Sequence, residues 1–204
     1  MVEVSITKRI KTYRGWEELC VETQFKIGEI TRIVGSSGAG KTTLLKIIAG
    51  IISPETGFIK FGAELWFDSS KKKSKPIQER NLGFVFQDYA LFPNMNVEEH
   101  LQFGTKDEQY IKELLAIGEM ESFRKNLPSQ LSGGQQQRLA ILRAMSTKPN
   151  LLLMDEPFSA MDKDLKTSLL VKLRSLFYLQ GTTVLLVTHD PGEIGEDTAL
   201  FYLP

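Results

Sequence analysis

Four short apolar runs punctuate the chain: "ITRIVG" from Ile30, "GFVF" from Gly83, "LLLM" from Leu151 and "TVLLV" from Thr183. Each is too short for a helix, and each ends in small or polar residues. Continuous apolar runs suit parallel strands covered on both faces. Ligands gather at the carboxyl ends of such strands in open α/β sheets, so Ser36, Gln87, Asp155 and the pair Thr188–His189 are expected on one rim. Arg32 sits inside the first run, where a charge needs a partner or an exit to solvent. Elsewhere the period is two: Val2, Val4 and Ile6 alternate, as do Leu19, Val21, Thr23, Phe25 and Ile27. "GFIKFGAELWF" reads as a hairpin around Gly62 and Ala63. These segments predict an antiparallel β layer. From Asn96 to about Gln130 the pattern becomes helical, with Tyr110, Ile111, Leu114, Leu115 and Ile117 on one face and Pro128 closing the segment. The lysines of "SSKKKSKP", Ser69 to Pro76, read as a solvated loop between strands.

Composition narrows the class. A chain of 204 residues with 42% hydrophobic content buries a substantial core, and its length suggests one domain, residues 1–204, with room for a subdomain. Twenty-five basic residues balance twenty-five acidic ones, which leaves no overall field for nucleic acid. Cys20 is the only cysteine, so no intrachain disulfide framework exists and a reducing compartment fits. No apolar segment reaches membrane-spanning length and "MVEVSITKRIKTYRGW" has no signal-peptide core, so a cytoplasmic setting is expected.

The chemistry concentrates after the apolar runs. "GSSGAGKTT" comprises Gly35, Ser36, Ser37, Gly38, Ala39, Gly40, Lys41, Thr42 and Thr43. It matches the phosphate-loop pattern G-x-x-x-x-G-K-[ST], with a strand before it and a helical pattern after it. Its amides wrap a β-phosphate, Lys41 bridges β and γ oxygens, and Thr42 offers a hydroxyl to Mg²⁺, which implies ATP as ligand. In "LLLMDEP", Asp155 is placed to hold Mg²⁺ and Glu156 to activate the attacking water. Gln87 is expected to sense Mg²⁺ and water, and His189 to contact the γ-phosphate. "LSGGQQQRLAILRAM", from Leu131, raises a separate question. Ser132 caps a helix whose start is left bare by Gly133 and Gly134, making a second anion-seeking helix end in one small chain.

"GSSGAGKTT", "FQDYALFP", "LSGGQQQR", "LLLMDEPFSAMD" and "VTHD" occur in the order found in nucleotide-binding subunits of ABC transporters, and the chain resembles that family from about Gly28 to His189. The resemblance implies the ABC ATPase fold: a P-loop NTPase core with a mostly parallel sheet and an antiparallel β subdomain, about residues 1–87 and 141–204, and a helical subdomain, about 88–140. It implies that residues 35–43 are Walker A, Gln87 the Q-loop, and Leu131, Ser132, Gly133, Gly134 and Gln135 the signature. Asp155 and Glu156 would be Walker B and catalytic base, Ser159 to Asp162 the D-loop, and His189 the switch histidine. In such proteins two copies pair head to tail, so ATP on Lys41 of one copy meets Ser132 of the other. That would answer the question of two helix ends.

Further partners follow from the resemblance: transmembrane permease subunits, a separate solute-binding protein, and a peripheral place on the inner face of the cell membrane. "PIQERNLGFVFQD" most resembles molybdate and related oxyanion importers. "YALFPNM", Tyr89 to Met95, is expected to dock a cytoplasmic helix of the permease or, alternatively, to fill the junction with the helical subdomain. The adenine-stacking aromatic is either Tyr13 or Trp16, unless these pack in the β layer. The D-loop reads "SAMD" rather than "SALD", a swap of similar volume. With the chain stopping at "TALFYLP" soon after the switch histidine, no C-terminal regulatory domain is expected. The competing class is a non-transport ABC ATPase of DNA repair or translation, which coiled-coil insertions or tandem halves would favour.

Overall fold

A computed structural model describes residues 1–12, 15–188 and 198–203. The first sheet is antiparallel. It contains β1 (Val2–Thr12), β2 (Gly15–Phe25), β4 (Thr56–Phe61), β5 (Glu64–Asp68) and β6 (Lys73–Ser74), in the order β2-β1-β4-β5-β6. The second, entirely parallel, runs β10 (Ala199–Tyr202), β3 (Ile30–Val34), β9 (Thr183–Val187), β8 (Leu151–Asp155) and β7 (Leu82–Val85). The helices are α1 (Lys41–Ala49), α2 (Val97–Gln102), α3 (Glu108–Gly118), α4 (Gly133–Ser146) and α5 (Lys163–Gln180).

The four apolar runs are neighbouring strands of the parallel sheet, and their unbroken hydrophobicity has a direct cause. Leu151 and Leu153 of β8, with Leu185 and Val187 of β9, face a core shared with α1 and the antiparallel sheet. Leu152 and Met154, with Val184 and Leu186, face the other core, built on α2 to α5. Each such side chain contributes about 1.5–3 kcal/mol by leaving water, so neither face tolerates a polar residue cheaply. The antiparallel sheet covers a core on one face only. Accordingly Val2, Val4 and Ile6 are buried and the residues between them are not.

Three local expectations shift. Strand β2 ends at Phe25, leaving Ile27 exposed in the turn. The lysine-rich loop contributes Lys73 and Ser74 as a two-residue edge strand on β5, and Lys75 ion-pairs with Glu64. A very short, lysine-bearing edge resists pairing with other chains. The helical stretch is broken into α2, α3 and two 3-10 turns, because Asp107 recaps the chain by accepting from the Tyr110 amide at 3.1 Å. Pro128 opens the second 3-10 turn, Pro128–Gln130, rather than ending a helix, since its missing N–H needs no partner at that position.

Arg32 is buried in β3, and its Nη2 donates to the Thr198 carbonyl at 3.1 Å.

Candidate functional site

The loop between β3 and α1 is shaped by backbone demands. Gly40, the N-cap of α1, has φ 94°, and a Cβ there would lie 3.1 Å from Ile10 Cδ1. Gly35 lies against the Leu203 carbonyl, which would be 2.6 Å from an added Cβ. No side chain caps α1, so its first amides stay open to an anion. Lys41 is buried, and its Nζ donates to the carbonyls of Gly35 at 2.8 Å and Ser36 at 2.9 Å. The cation is thus held over the loop that bends beneath it.

Asp155 ends β8 directly below. It is 2% exposed, the Thr42 hydroxyl lies close enough to favour its charged form, and its Oδ1 has no partner among the described residues. Burial raises its pKa, the Thr42 bond opposes that, and the neighbouring Glu156 charge adds to it, against Lys46 and Lys41. An orphaned buried carboxylate oxygen beside a hydroxyl fits Mg²⁺, which prefers one or two protein oxygens completed by phosphate and water. No group of three His, Cys, Asp or Glu side chains suited to a metal occurs among the described residues.

Above these lies a cavity of about 440 Å³ whose lining includes Lys11, Ser37, Lys41, Thr42, Gln87 and Glu156. Residues from three different strand ends meet there. Glu156 adopts φ 50°, uncommon for a side chain of its size. Its amide donates to the Val187 carbonyl at 3.0 Å, and its carbonyl accepts from Gln137 Nε2 and Ser159 Oγ, each at 3.2 Å. Gln137 also donates to Ser159 Oγ and accepts from the Ala160 amide at 3.0 Å, so one buried amide ties α4 to the turn carrying Glu156. Asp162 caps α5 by accepting from the Leu165 amide at 3.0 Å.

The signature residues stand apart from this cavity. Ser132 and Gly133 are exposed, and none of residues 131–135 lines it. Ser132 N–H donates to Gln135 Oε1 at 2.8 Å and Ser132 Oγ accepts from the Gln135 amide at 3.4 Å, a reciprocal cap. Leu131 is buried, and Gly134 packs on the Ala160 carbonyl, 3.1 Å from where a Cβ would sit. Tyr13 and His189 lie outside the described residues. Trp16 does not pack in the β layer; it is 65% exposed, with the Arg9 guanidinium 5.6 Å from its ring. "YALFPNM" is split between the core and an open groove. Tyr89 and Leu91 pack against the helical core, whereas Phe92 lines an apolar groove with Phe84, Phe86 and Phe103.

Sequence reading passed over Gln137 and Arg80. Arg80 is fully buried and donates to carbonyls of Lys75, Ile48 and Trp66, clamping the C-terminal end of α1; a Cβ on Gly50 would lie 2.6 Å from its guanidinium carbon. A charged residue just before an apolar strand was the available signal, but nothing local reveals which carbonyls it meets.

A glycine-rich phosphate loop, a buried lysine, and an aspartate with an adjacent glutamate at the carboxyl rim of a parallel sheet define a P-loop nucleotide-binding domain with an added antiparallel sheet. The chain belongs to the ABC transporter family, whose model matches residues 20–159. It is similar to the sulfate/thiosulfate import ATP-binding protein CysA of Mesorhizobium japonicum, 44% identical over 185 residues, covering 85% of this chain and 52% of that protein. A Chlorella vulgaris protein named "Probable sulfate/thiosulfate import ATP-binding protein CysA" is 36% identical over 200 residues, covering 94% of this chain and 81% of its own. The chain spans about half the length of the bacterial relatives it matches. Its fold is similar to the ATP-binding cassette MJ0796, solved as a dimer in a post-hydrolysis state with ADP and Pi, with TM-score 0.82, 32% identity, and coverage of 100% of this chain and 94% of that one.

Proposed function

We propose that this chain binds MgATP between two copies of itself and hydrolyses it to drive a membrane importer of oxyanions. One observation carries the reading: Lys41, Thr42, Gln87 and Glu156 share a cavity, while the exposed signature start stands outside it in the same chain. A site so divided is completed by a second copy. Loop amides of residues 35–43 and Lys41 receive the phosphates, with Lys41 exchanging loop carbonyls for phosphate oxygens. Thr42, Asp155 and Gln87 would hold Mg²⁺, which would supply positive charge against that developing on the phosphoryl group. Glu156 takes the proton of the attacking water, and His189 contacts the γ-phosphate. Ser132, Gly133 and Gly134 of the second copy add their helix end, with Ser159 and Asp162 at the seam between copies. Nucleotide becomes the shared anion, and hydrolysis releases the copies.

The groove at Phe92 and Phe103 receives a cytoplasmic helix of a permease subunit, which brings the chain to the inner membrane face. Phe103 is 66% exposed there, and aromatic anchors in a groove are typical of helix docking. Relatives named for sulfate and thiosulfate import support an oxyanion as cargo, delivered by a separate solute-binding protein.

The test uses a Cys20→Ser background, one protein bearing Ser37→Cys and the other Ser132→Cys, both with Glu156→Gln to prolong closure. A short thiol crosslinker should yield a heterodimer with MgATP and not with ADP. Equal yield with and without nucleotide, in proteins that bind ATP, refutes the composite site.

A further inference from the structure

Directly after Gln87 the backbone does something costly. Tyr89 and Ala90 both adopt left-handed conformations, φ 64° and 46°, although neither is glycine. Their own turn supplies two bonds, from the Tyr89 amide to the Phe86 carbonyl at 2.9 Å and from the Ala90 amide to the Asp88 carbonyl at 2.8 Å. Both outward carbonyls are taken by one residue. Arg143, from α4, donates Nη1 to the Ala90 carbonyl and Nη2 to the Tyr89 carbonyl, the latter at 3.1 Å. Its guanidinium also lies 5.4 Å from the Phe92 ring centroid. No carboxylate pairs with Arg143 among the described ion pairs, and burial lowers its pKa, so this cation is kept half-buried for carbonyls and a ring. Phe92 is fixed from its other side, its amide donating to His100 Nε2 at 3.0 Å.

We propose that Arg143 is a positioning residue: its guanidinium fork locks the left-handed link Tyr89–Ala90, and so sets Gln87 at the nucleotide cavity and Phe92 in the groove from a single base on α4. Backbone strain persists only where surrounding structure over-determines it, and here one planar fork supplies that determination. The lock gives displacement at Phe92 a solid route to Gln87 and to the helix that begins at Ser132. Its catalytic consequence rests on the ATPase reading above. The lock itself does not.

The experiment combines hydrogen exchange by mass spectrometry with turnover, on the whole chain. Arg143→Met keeps length and removes the fork. Amides of residues 87–95 should exchange about tenfold faster or more, with those of α1 unchanged. ATP turnover should fall about tenfold while ATP Kd stays within about twofold, as for a displaced positioning group. Adding Ala90→Gly, which accepts positive φ without strain, should restore turnover to within about threefold of the unaltered protein. Should Arg143→Met not fold, Arg143→Lys retains charge without the fork and should show the same pattern more weakly. Unchanged exchange at residues 87–95, faster exchange everywhere alike, or no recovery with Ala90→Gly each overturns the lock. An unaltered protein that neither binds nor hydrolyses ATP refutes the ATPase reading instead, and the exchange data still decide the lock.

Discussion

The N-termini of α1 and α4 are built in opposite ways. Helix α1 begins at a left-handed glycine with no side-chain cap and places buried Lys41 over its own loop. Helix α4 begins at Ser132, satisfies itself through the reciprocal cap with Gln135, and has no basic residue in its first turn. The first end is an anion site at rest. The second is capped within its own chain, with Gly133 exposed and Gly134 half-buried. An end of that kind adds to a phosphate held elsewhere and does not gather one by itself. On the composite-site proposal, capture of nucleotide falls to α1 and completion of the site to the α4 of a second copy.

The largest expected effect separates binding at α1 from chemistry beside it. Glu156→Gln should lower steady-state turnover about 10²- to 10⁴-fold with ATP affinity retained. Turnover within threefold of normal removes Glu156 from that role. Next, Lys41→Ala should weaken ATP binding to the single subunit by about 2–4 kcal/mol, roughly 30- to 1,000-fold. Ser132→Ala should leave that affinity within about twofold, losing only a cap of about 1 kcal/mol, a fall of about 2–4 °C in melting temperature. Titration with a fluorescent ATP analogue distinguishes them, and equal losses in both would erase the contrast between the helix ends.

A pure stability effect concerns the helical region that carries α4. Glu98 is buried against Arg124 and Lys125, with Lys125 Nζ at 2.7 Å, and these bonds hold its pKa at about 2, below its ordinary 4.5. A depressed folded-state pKa gives stability that is fully present above pH 4.5 and is lost as pH falls toward 2. Glu98→Gln should thus lower the melting temperature by about 4–8 °C near pH 7, corresponding to about 2 kcal/mol. Melts at decreasing pH should show the gap from the unaltered protein narrowing below pH ~4.5, where the native carboxylate begins to lose its advantage. A gap constant down to pH ~3 would contradict the ion-pair account.

What could be read in advance follows a physical division. Strands β3, β7, β8 and β9 were legible because burial on both faces leaves an unbroken apolar run, and β1 because one-sided burial leaves alternation. The phosphate loop was legible because its glycines and lysine act within nine consecutive residues. Gln137, Arg80 and Arg143 were not. Most of their partners are backbone carbonyls and amides at positions such as Glu156, Ile48 and Ala90, and any residue type presents those groups, so no side-chain pattern betrays the contact.

The sequence alone therefore determined the local pattern: which loop has phosphate-binding form, which carboxylates end a strand, and where a second helix starts. Folding decided what those parts share. It brought Lys41, Gln87 and Glu156 from three strand ends to one cavity, left an oxygen of Asp155 buried without a partner among the described residues, and kept Ser132 outside. It also committed α4 to both sides of that arrangement, through Gln137 to Glu156 and through Arg143 to the link beyond Gln87. Side-chain periodicity records burial and local backbone need, whereas the spacing between distant strand ends is set by sheet order, which is a property of the packed chain.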